Sequence, residues 1–212
     1  MSDTLATISA AVMAGEIAEA AQLAQTALGE GFDAKEVLDH SLVPSMNTVG
    51  QRFKEGDMFV PDVLFSARAM QAALDVLRPQ LVASGVEMAG KVVIGTVEGD
   101  LHDIGKNLVA MMLTGAGFEV RDLGNDVPPS AFVAAVRETG AEMVGMSALL
   151  TTTMPVMGRV IKALQEAKLR KQVRIMVGGA PVTADFAREI GADGYSSNAT
   201  GAAELARQWM AG

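Results

Sequence analysis

The sequence predicts an α/β protein made of two parts. An N-terminal four-helix bundle is expected over residues 1–88, followed by a flavodoxin-like (Rossmann-type) domain with a five-stranded parallel sheet over residues 89–212. Up to Ser84 the apolar residues recur only at helical spacing, whereas from Lys91 short β-rich runs alternate with helical stretches. A glycine-containing segment, residues 86–91, links the two patterns.

The helices of the first part follow from apolar stripes and from start and stop signals. The stripes are Leu5, Ile8 and Val12, then Ile17, Ala20, Leu23, Ala27 and Leu28, then Val37, Leu38, Leu42, Met46, Val49 and Phe53. The GEG run at residues 29–31 ends the second helix, and Asp33 is expected to cap the third. Pro44 should bend or interrupt that third helix, and Pro61 should lie in the first turn of a long fourth helix.

The second part alternates strands with helices. The predicted order is strand KVVIGTV, helix GKNLVAMMLTGAG, strand FEVRDLG, helix PSAFVAAVRETG, strand AEMVGMSAL, helix PVMGRVIKALQEAK, strand QVRIMVGG, helix TADFAREIG, strand DGYSS and a last helix through Trp209. Parallel sheets of this kind bind ligands at the carboxyl ends of their strands. Four segments should therefore share one edge: the loop around His102, SALLTTT, GGAP and YSSNAT.

Composition argues against several classes of function. The net charge of -8 and the pI of about 4.8 argue against nucleic acid as a partner, because phosphate binding needs a basic face. The chain has no cysteine, so a disulfide, a thiolate metal site and a thiol nucleophile are all excluded. The acidic N-terminal segment is a poor secretory signal, and no apolar run approaches the roughly 20 residues of a spanning helix. We therefore expect a cytoplasmic protein with no membrane partner.

The stretch EGDLHDIGKN holds the candidate chemistry of the chain. A neutral imidazole such as that of His102 can ligate a metal through one nitrogen while its other nitrogen donates a hydrogen bond to a carboxylate, here Asp100. A zinc site built from protein alone needs three or four ligands. The second histidine, His40, lies in the helical part, so the other ligands of a metal at His102 would have to come from a cofactor. Asp103 is expected to be solvated or to cap the next helix.

Glycines and hydroxyls complete the predicted edge. Gly178 and Gly179 end an apolar strand, where the missing Cβ atoms allow a ligand to approach the backbone closely. Ser147 and the threonines at 151–153 offer hydroxyl groups nearby. On these residues alone, plainer interpretations stay open: a hydrogen-bonded surface histidine, a helix cap and an ordinary turn.

Taken together, the motifs resemble those of cobalamin-binding domains. Asp100-x-His102-x-x-Gly105, Ser147-x-Leu149 and Gly178-Gly179 follow one another at the spacing of that family. The run VGQRFKEGDMFVPDVLFSARAM, residues 49–70, resembles the helical cap that precedes the domain in methylcobalamin proteins. The whole chain resembles the stand-alone corrinoid proteins of methyltransferase systems, such as those for methylamines, methanol and glycine betaine. It is also similar to the cobalamin module of cobalamin-dependent methionine synthase.

This resemblance implies a role for each matching residue. His102 would replace the benzimidazole as the lower axial ligand of cobalt, Asp100 would accept a hydrogen bond from the other ring nitrogen, and the Thr153 hydroxyl would complete the relay. The cofactor would be cobalamin in its methylcobalamin and Co(I) forms. The expected cofactor contacts in the first loop are Gly99, Asp100, Leu101, His102, Asp103, Ile104 and Gly105. The expected contacts elsewhere are Ser147, Leu149 and Thr151, then Gly178 and Gly179, then Tyr195, Asn198 and Ala199, and in the cap Phe53, Val60 and Val63.

The resemblance also implies partners. The protein would carry a methyl group from a substrate:corrinoid methyltransferase to a second methyltransferase that acts on tetrahydrofolate or coenzyme M, and a reductive activase would serve it. The donor would be a methylamine, a betaine, methanol or a methoxyaromatic. No independent catalysis is expected, because the chain has no substrate barrel. The alternatives are the cobalamin-binding part of an adenosylcobalamin mutase, a cobalamin-dependent sensor or regulator, and a flavodoxin-like module that binds a nucleotide or flavin without cobalt.

Overall fold

A computed structural model describes residues 3–85 and 88–210. The predicted α/β class and the helical N-terminal region are confirmed. The chain forms two compact units. The first comprises the described residues before Ala89 together with Thr114–Gly117, and the second comprises Ala89–Leu113 and the described residues from Phe118 onward. Two residues of the predicted linker, 86 and 87, lie outside the described residues.

The first unit is built from helices alone. They are α1 (Asp3–Ala14), α2 (Ile17–Gly29), α3 (Ala34–Val37), a π-helical turn (Leu38–Leu42), α4 (Val43–Glu55) and α5 (Val60–Ala83). Asp33 caps α3 as predicted, because its side chain accepts a hydrogen bond of 2.7 Å from the Lys35 N–H. Pro61 lies in the first turn of α5, where its missing N–H leaves no hydrogen bond unmade.

Pro44 interrupts the third helical segment through a widened turn. Proline has no N–H to donate to the preceding turn, so a regular α-helix cannot run through this position unchanged. The structure absorbs the defect in the π-helical turn, where the N–H of Val43 donates to the carbonyl of Leu38, five residues earlier. The two hydroxyls of Ser41 and Ser45 are buried there, and both bond to carbonyls of the bundle. The bundle core is therefore closed without an unpaired polar group at either serine.

The second unit alternates strands and helices in the predicted order. Its elements are β1 (Lys91–Thr96), α6 (Ile104–Gly115), β2 (Glu119–Asp122), α7 (Pro129–Thr139), β3 (Met143–Ser147), α8 (Met154–Glu166), β4 (Arg174–Gly178), α9 (Ala184–Glu189), β5 (Gly194–Tyr195) and α10 (Ala199–Met210). The strands are shorter than the apolar runs from which they were predicted, and β5 has only two residues. The remaining residues of those runs lie in the loops that precede or follow the strands.

All strand pairs are parallel, in the order β2-β1-β3-β4-β5. This is the flavodoxin-like order that the sequence predicted. β1 therefore has a neighbour on both sides, and residues 92–97 are buried without alternation, as expected of a strand covered on both faces. The register pairs Thr96 with Ser147 and Ser147 with Gly178. The carboxyl ends of β1, β3 and β4 thus lie side by side.

The helices of this unit cover the sheet with apolar stripes. In α8 the buried residues Val156, Val160 and Leu164 recur at a spacing of four, as a helix packed on one face requires. Across residues 3–85 and 88–210, none of the helices combines the length and the apolar character needed to cross a bilayer.

The close packing of β1 against α7 predicts the effect of a single methyl group. A Cβ atom at Gly95 would lie 2.9 Å from the ring of Phe132, which is fully buried, and 3.3 Å from Val127. Gly95→Ala is expected to lower the free energy of unfolding by about 1–3 kcal/mol, because the ring has no space to move into. Urea unfolding followed by circular dichroism measures this loss.

Gly158→Ala in α8 is the matched control. A Cβ atom there would have Ile190 at 3.7 Å as its nearest neighbour, which is an ordinary contact. This variant should be neutral or more stable by up to about 1 kcal/mol, because alanine favours a helix. Equal losses in both variants, or none at Gly95, would contradict the packing assigned to β1.

Candidate cofactor site

The candidate site lies where the chain leaves β1. The loop that follows, residues 97–103, carries Asp100 and His102, and α6 begins at Ile104. β1 lies between β2 and β3 in the sheet, so the loop that follows β1 has one of these strands on each side. The Thr96 hydroxyl donates to the carbonyl of His102 at 3.0 Å, which draws the far end of the loop back toward the strand.

Asp100 and His102 form a directed pair. The Nδ1 atom of His102 lies 2.7 Å from Oδ1 of Asp100, and the backbone N–H of His102 donates to the same oxygen at 3.1 Å. An ionised carboxylate only accepts, so the ring proton is at Nδ1 and Nε2 of the neutral ring keeps its lone pair. The Asp100 carboxylate is fully buried while the imidazole is 52% exposed. The pair therefore leaves the imidazole partly exposed, with its tautomer fixed by the buried carboxylate, so that Nε2 is able to ligate a metal.

The other oxygen of Asp100 is held by the segment after β3. Oδ2 accepts hydrogen bonds from the backbone N–H of Leu149 at 2.7 Å and of Leu150 at 3.2 Å, and from the Thr153 hydroxyl at 2.8 Å. Thr153 is itself buried. The structure therefore brings together Thr153, Asp100 and His102 in one chain of hydrogen bonds, and it adds two backbone donors that the sequence did not reveal.

Burial and hydrogen bonding act in opposite directions on this carboxylate. Burial alone would raise the pKa of Asp100, because it disfavours the charged form. The hydrogen bonds from His102, Leu149 and Thr153 outweigh burial and hold the pKa below its usual range. The group is thus an anion at neutral pH, able to stabilise either a ligating or a protonated imidazole.

The two segments that hold the Asp100–His102 pair carry exposed aliphatic side chains, here called the apolar collar. Leu101 and Ile104, which flank His102 in its loop, are 70% and 78% exposed, and Leu149 and Leu150, whose N–H groups hold Asp100, are 42% and 41% exposed. Four large exposed aliphatic side chains on these two segments favour contact with an apolar ligand. A flat macrocycle whose metal is bound by Nε2 matches this set of residues, because the collar would cover its underside. The residues present thus fit a corrin ring.

The glycine pair is required by the protein's own backbone. A Cβ atom at Gly179 would lie 1.9 Å from the carbonyl oxygen of Ala148, and the φ of Gly179 is +123°, a conformation that side chains rarely allow. A Cβ atom at Gly178 would lie 2.9 Å from the carbonyl of Ser196. Gly179 therefore lets the chain after β4 pass against the segment after β3, and Gly178 lets the end of β4 lie against the segment after β5. A bulky substitution here would disturb the fold with or without a ligand.

The remaining predicted contacts of the second unit vary in exposure. Ser147 is half-buried at the end of β3, Thr151 is exposed, Tyr195 is half-buried in β5 and Ala199 is buried. The amide oxygen of Asn198 accepts from the Gly201 N–H at 2.8 Å and so caps α10. Among the described residues, the carboxylate of Asp103 has no hydrogen-bond partner, which leaves it free to be solvated at the start of α6.

The predicted cap residues all belong to the first unit. Phe53 is half-buried, Val60 is 43% exposed and Val63 is fully buried. Two aromatic side chains that the sequence reasoning did not select, Phe59 and Phe65, are 69% and 49% exposed. Nothing in the sequence marked these two residues as exposed, because aromatic residues near the start of a helix are usually buried in the core.

Comparison with known proteins identifies the class. Residues 90–204 match a family model described as a B12 binding domain, and residues 4–78 match a second model with the same description. The chain therefore belongs to the B12-binding family, and cobalamin is its cofactor.

Its relatives narrow the assignment. The chain is 44% identical to a corrinoid protein of Desulfitobacterium hafniense strain Y51, over 93% of both chains. It is 45% identical to trimethylamine corrinoid protein 1 of Methanosarcina acetivorans, over 85% of both. It superposes with a TM-score of 0.89 and 33% identity on the methanol:cobalamin methyltransferase complex MtaBC of Methanosarcina barkeri, covering 99% of this chain and 80% of that one. The chain therefore belongs to the corrinoid proteins of methyltransferase systems.

The buried carboxylate predicts a pH-dependent loss of stability. Asp100→Asn is expected to lower the free energy of unfolding of the cofactor-free protein by about 2–4 kcal/mol at neutral pH, because the amide group cannot accept every bond that the carboxylate accepts. The folded pKa lies below the unfolded one, so the anion's contribution is complete above the unfolded pKa and shrinks as pH falls below it. The difference in free energy of unfolding between wild type and Asp100→Asn should therefore be about 1 kcal/mol smaller near pH 3 than at neutral pH.

Denaturant unfolding at neutral and acidic pH measures the gap. Asp103→Asn is the control, since the Asp103 carboxylate makes no hydrogen bond within the described residues and asparagine also caps helices well. A gap that stayed constant with pH, or one that Asp103→Asn reproduced, would show that Asp100 is not the buried anion of this site.

Proposed function

We propose that the protein carries methyl groups on cobalamin that is bound through His102, and passes them from a substrate:corrinoid methyltransferase to a second methyltransferase. The observation that carries this proposal is the geometry of His102. Its Nδ1 is held by a buried carboxylate, its imidazole is half exposed, and the residues of the apolar collar lie on the same two segments. Binding of a nucleotide or a flavin would not require an imidazole nitrogen that is oriented to bind a metal. A cobalt ion in a corrin ring uses both the nitrogen and the collar.

The bound cofactor supplies a cobalt ion that accepts and gives up a methyl group. His102 would hold that ion through Nε2, and the residues behind His102 would keep its imidazole in place. Asp100 keeps the His102 proton at Nδ1, and Thr153 in turn orients Asp100. The Asp100 anion would thereby support the imidazole as a ligand.

The rest of the site has a supporting role in this proposal. The edge residues Ser147, Thr151 and Tyr195 would line the path of the nucleotide tail. The helical unit over residues 1–88 would be the cap and the unit over residues 89–212 the cobalamin-binding domain. Exposed apolar groups of α5, such as Val60, suit a surface that shields a methyl group and then yields to a partner enzyme.

The relatives favour a methylated amine or alcohol as the methyl donor. One relative is named for trimethylamine, another for dimethylamine, and the similar solved structure is a methanol:cobalamin methyltransferase complex. The acceptor enzyme would act on tetrahydrofolate or coenzyme M, and a reductive activase would return oxidised cobalt to its reactive form. The chain itself would carry the group without catalysing the transfers alone.

Replacing the ligand tests the cofactor geometry. Wild type reconstituted with cobalamin should show the visible spectrum of a cofactor whose benzimidazole is displaced and whose lower ligand is a protein histidine. His102→Ala should lose the histidine-ligated spectrum, because no other imidazole lies in the second unit. His40→Ala is the matched control: His40 is the other histidine of the chain, is exposed, and lies in the first unit. A wild-type spectrum with benzimidazole still on cobalt, or one unchanged in His102→Ala, would refute the assignment.

Methyl transfer tests the carrier role directly. The cobalamin-loaded, reduced protein would be mixed with a trimethylamine-, dimethylamine- or methanol-specific corrinoid methyltransferase and its substrate, and methylation of cobalt followed by visible absorbance. We expect transfer with at least one methylamine system, at a rate at least about tenfold above that with free cobalamin, since a bound cofactor is presented in a fixed orientation. His40→Ala should behave as wild type. Rates equal to those of free cobalamin in all three systems would contradict the proposed donors.

A further inference from the structure

The connection between β2 and α7, residues 123–128, contacts the histidine loop from the side opposite to β3. Because β1 lies between β2 and β3, its loop has two neighbours. The β3 side holds the carboxylate of Asp100, as described above. The β2 side holds the backbone of the same loop, and none of its residues belongs to the cobalamin-binding motifs.

Asp126 makes the main contacts on the β2 side. Its Oδ1 accepts a hydrogen bond of 2.7 Å from the N–H of Gly99, and its own N–H donates to the carbonyl of Asp100 at 3.0 Å. The side-chain amide of Asn125 adds a bond of 3.3 Å to the carbonyl of Leu101. Two adjacent residues of this connection thus bind three consecutive residues of the histidine loop.

The backbone conformation of Asp126 supports a specific role. Its φ is +54°, in the left-handed region, where residues other than glycine are uncommon and aspartate and asparagine are tolerated best. Gly99, whose N–H it binds, has a φ of +84°. A strained conformation that persists next to a functional loop is typical of a residue whose side chain is needed there.

An ion pair between a buried lysine and an exposed carboxylate joins the start of α6, which follows the loop, to β2. Lys106, in the first turn of α6, is almost completely buried, and its ammonium group bonds to the Asp122 carboxylate at the end of β2 and to Asn107. The start of the loop that carries His102 is therefore bound by Asp126 in the connection after β2, and the helix that follows the loop is bound by Asp122 at the end of β2.

The geometry points to Asp126 as a positioning residue for His102. It does not touch the imidazole. It fixes the backbone of Gly99 and Asp100 so that the Asp100 carboxylate meets both His102 and Thr153. The inference rests on the proposed role of His102 as the cobalt ligand.

Two substitutions separate the side-chain contact from the backbone conformation. Asp126→Gly tolerates the left-handed backbone but has no acceptor for the Gly99 N–H. Asp126→Asn tolerates the same backbone and keeps an accepting oxygen. Lys168→Gly is the control, because Lys168 is exposed and is the other non-glycine residue with a positive φ within residues 3–85 and 88–210, at the end of α8.

The spectrum of bound cobalamin is the first measurement. In Asp126→Gly the equilibrium constant between histidine-bound and histidine-free cobalamin should fall about fivefold, the change expected for the loss of one ordinary hydrogen bond. Asp126→Asn and Lys168→Gly should stay within about twofold of wild type. An unchanged constant in Asp126→Gly would overturn the inference, as would equal losses in Asp126→Asn or Lys168→Gly.

Amide hydrogen exchange of the cofactor-free protein is the second measurement. The Gly99 amide should exchange faster in Asp126→Gly than in wild type and Asp126→Asn, because its acceptor is gone. Unchanged exchange would overturn the contact itself. If wild type and His102→Ala gave the same cobalamin spectrum, the proposed ligand would fail, and the positioning role with it. A histidine-bound wild type with an unaffected Asp126→Gly would refute the positioning role alone.

Discussion

A buried carboxylate governs the geometry of this site. Asp100 has no exposed surface, and a charge in that position is tolerated only when every accepting direction is filled. Its donors come from two loops, the one that carries His102 and the one that follows β3. The two loops must therefore approach each other at a fixed distance, and the position of the imidazole follows from that approach. Displacing either loop would leave an anion without its partners.

The exposure of the apolar collar has the same origin. The N–H groups of Leu149 and Leu150 point inward to Asp100, and their side chains lie exposed at the surface. Leu101 and Ile104 flank the histidine and are exposed as well. The same two loops thus direct polar groups inward to Asp100 and leave apolar side chains exposed. Cobalamin, which offers both a metal and a broad apolar face, is suited to such a surface.

Much of the fold and the central pair of the site could be predicted from the sequence, whereas several contacts around that pair could not. The parallel sheet and its flavodoxin-like class followed from the alternation of strand-like and helical runs, and the Asp100–His102 pair followed from a spacing of two residues within one loop. The backbone donors of Leu149 and Leu150 could not be predicted, because backbone groups leave no trace in residue identity. Asp126 was missed because its contact with Gly99 depends on which strand neighbours β1. The π-helical turn before Pro44 was foreseen only as an interruption, since proline dictates a missing donor but not how the chain accommodates it.

The side-chain and backbone hydrogen bonds that orient His102 join residues that all lie between Thr96 and Thr153. The information that orients the ligand is thus contained in one uninterrupted stretch of chain, while the bundle and the last two strands contribute none of these bonds. Substitutions on the exposed surface of the flanking parts should therefore leave the imidazole in place, whereas Gly179, which passes against the carbonyl oxygen of Ala148, must stay without a side chain.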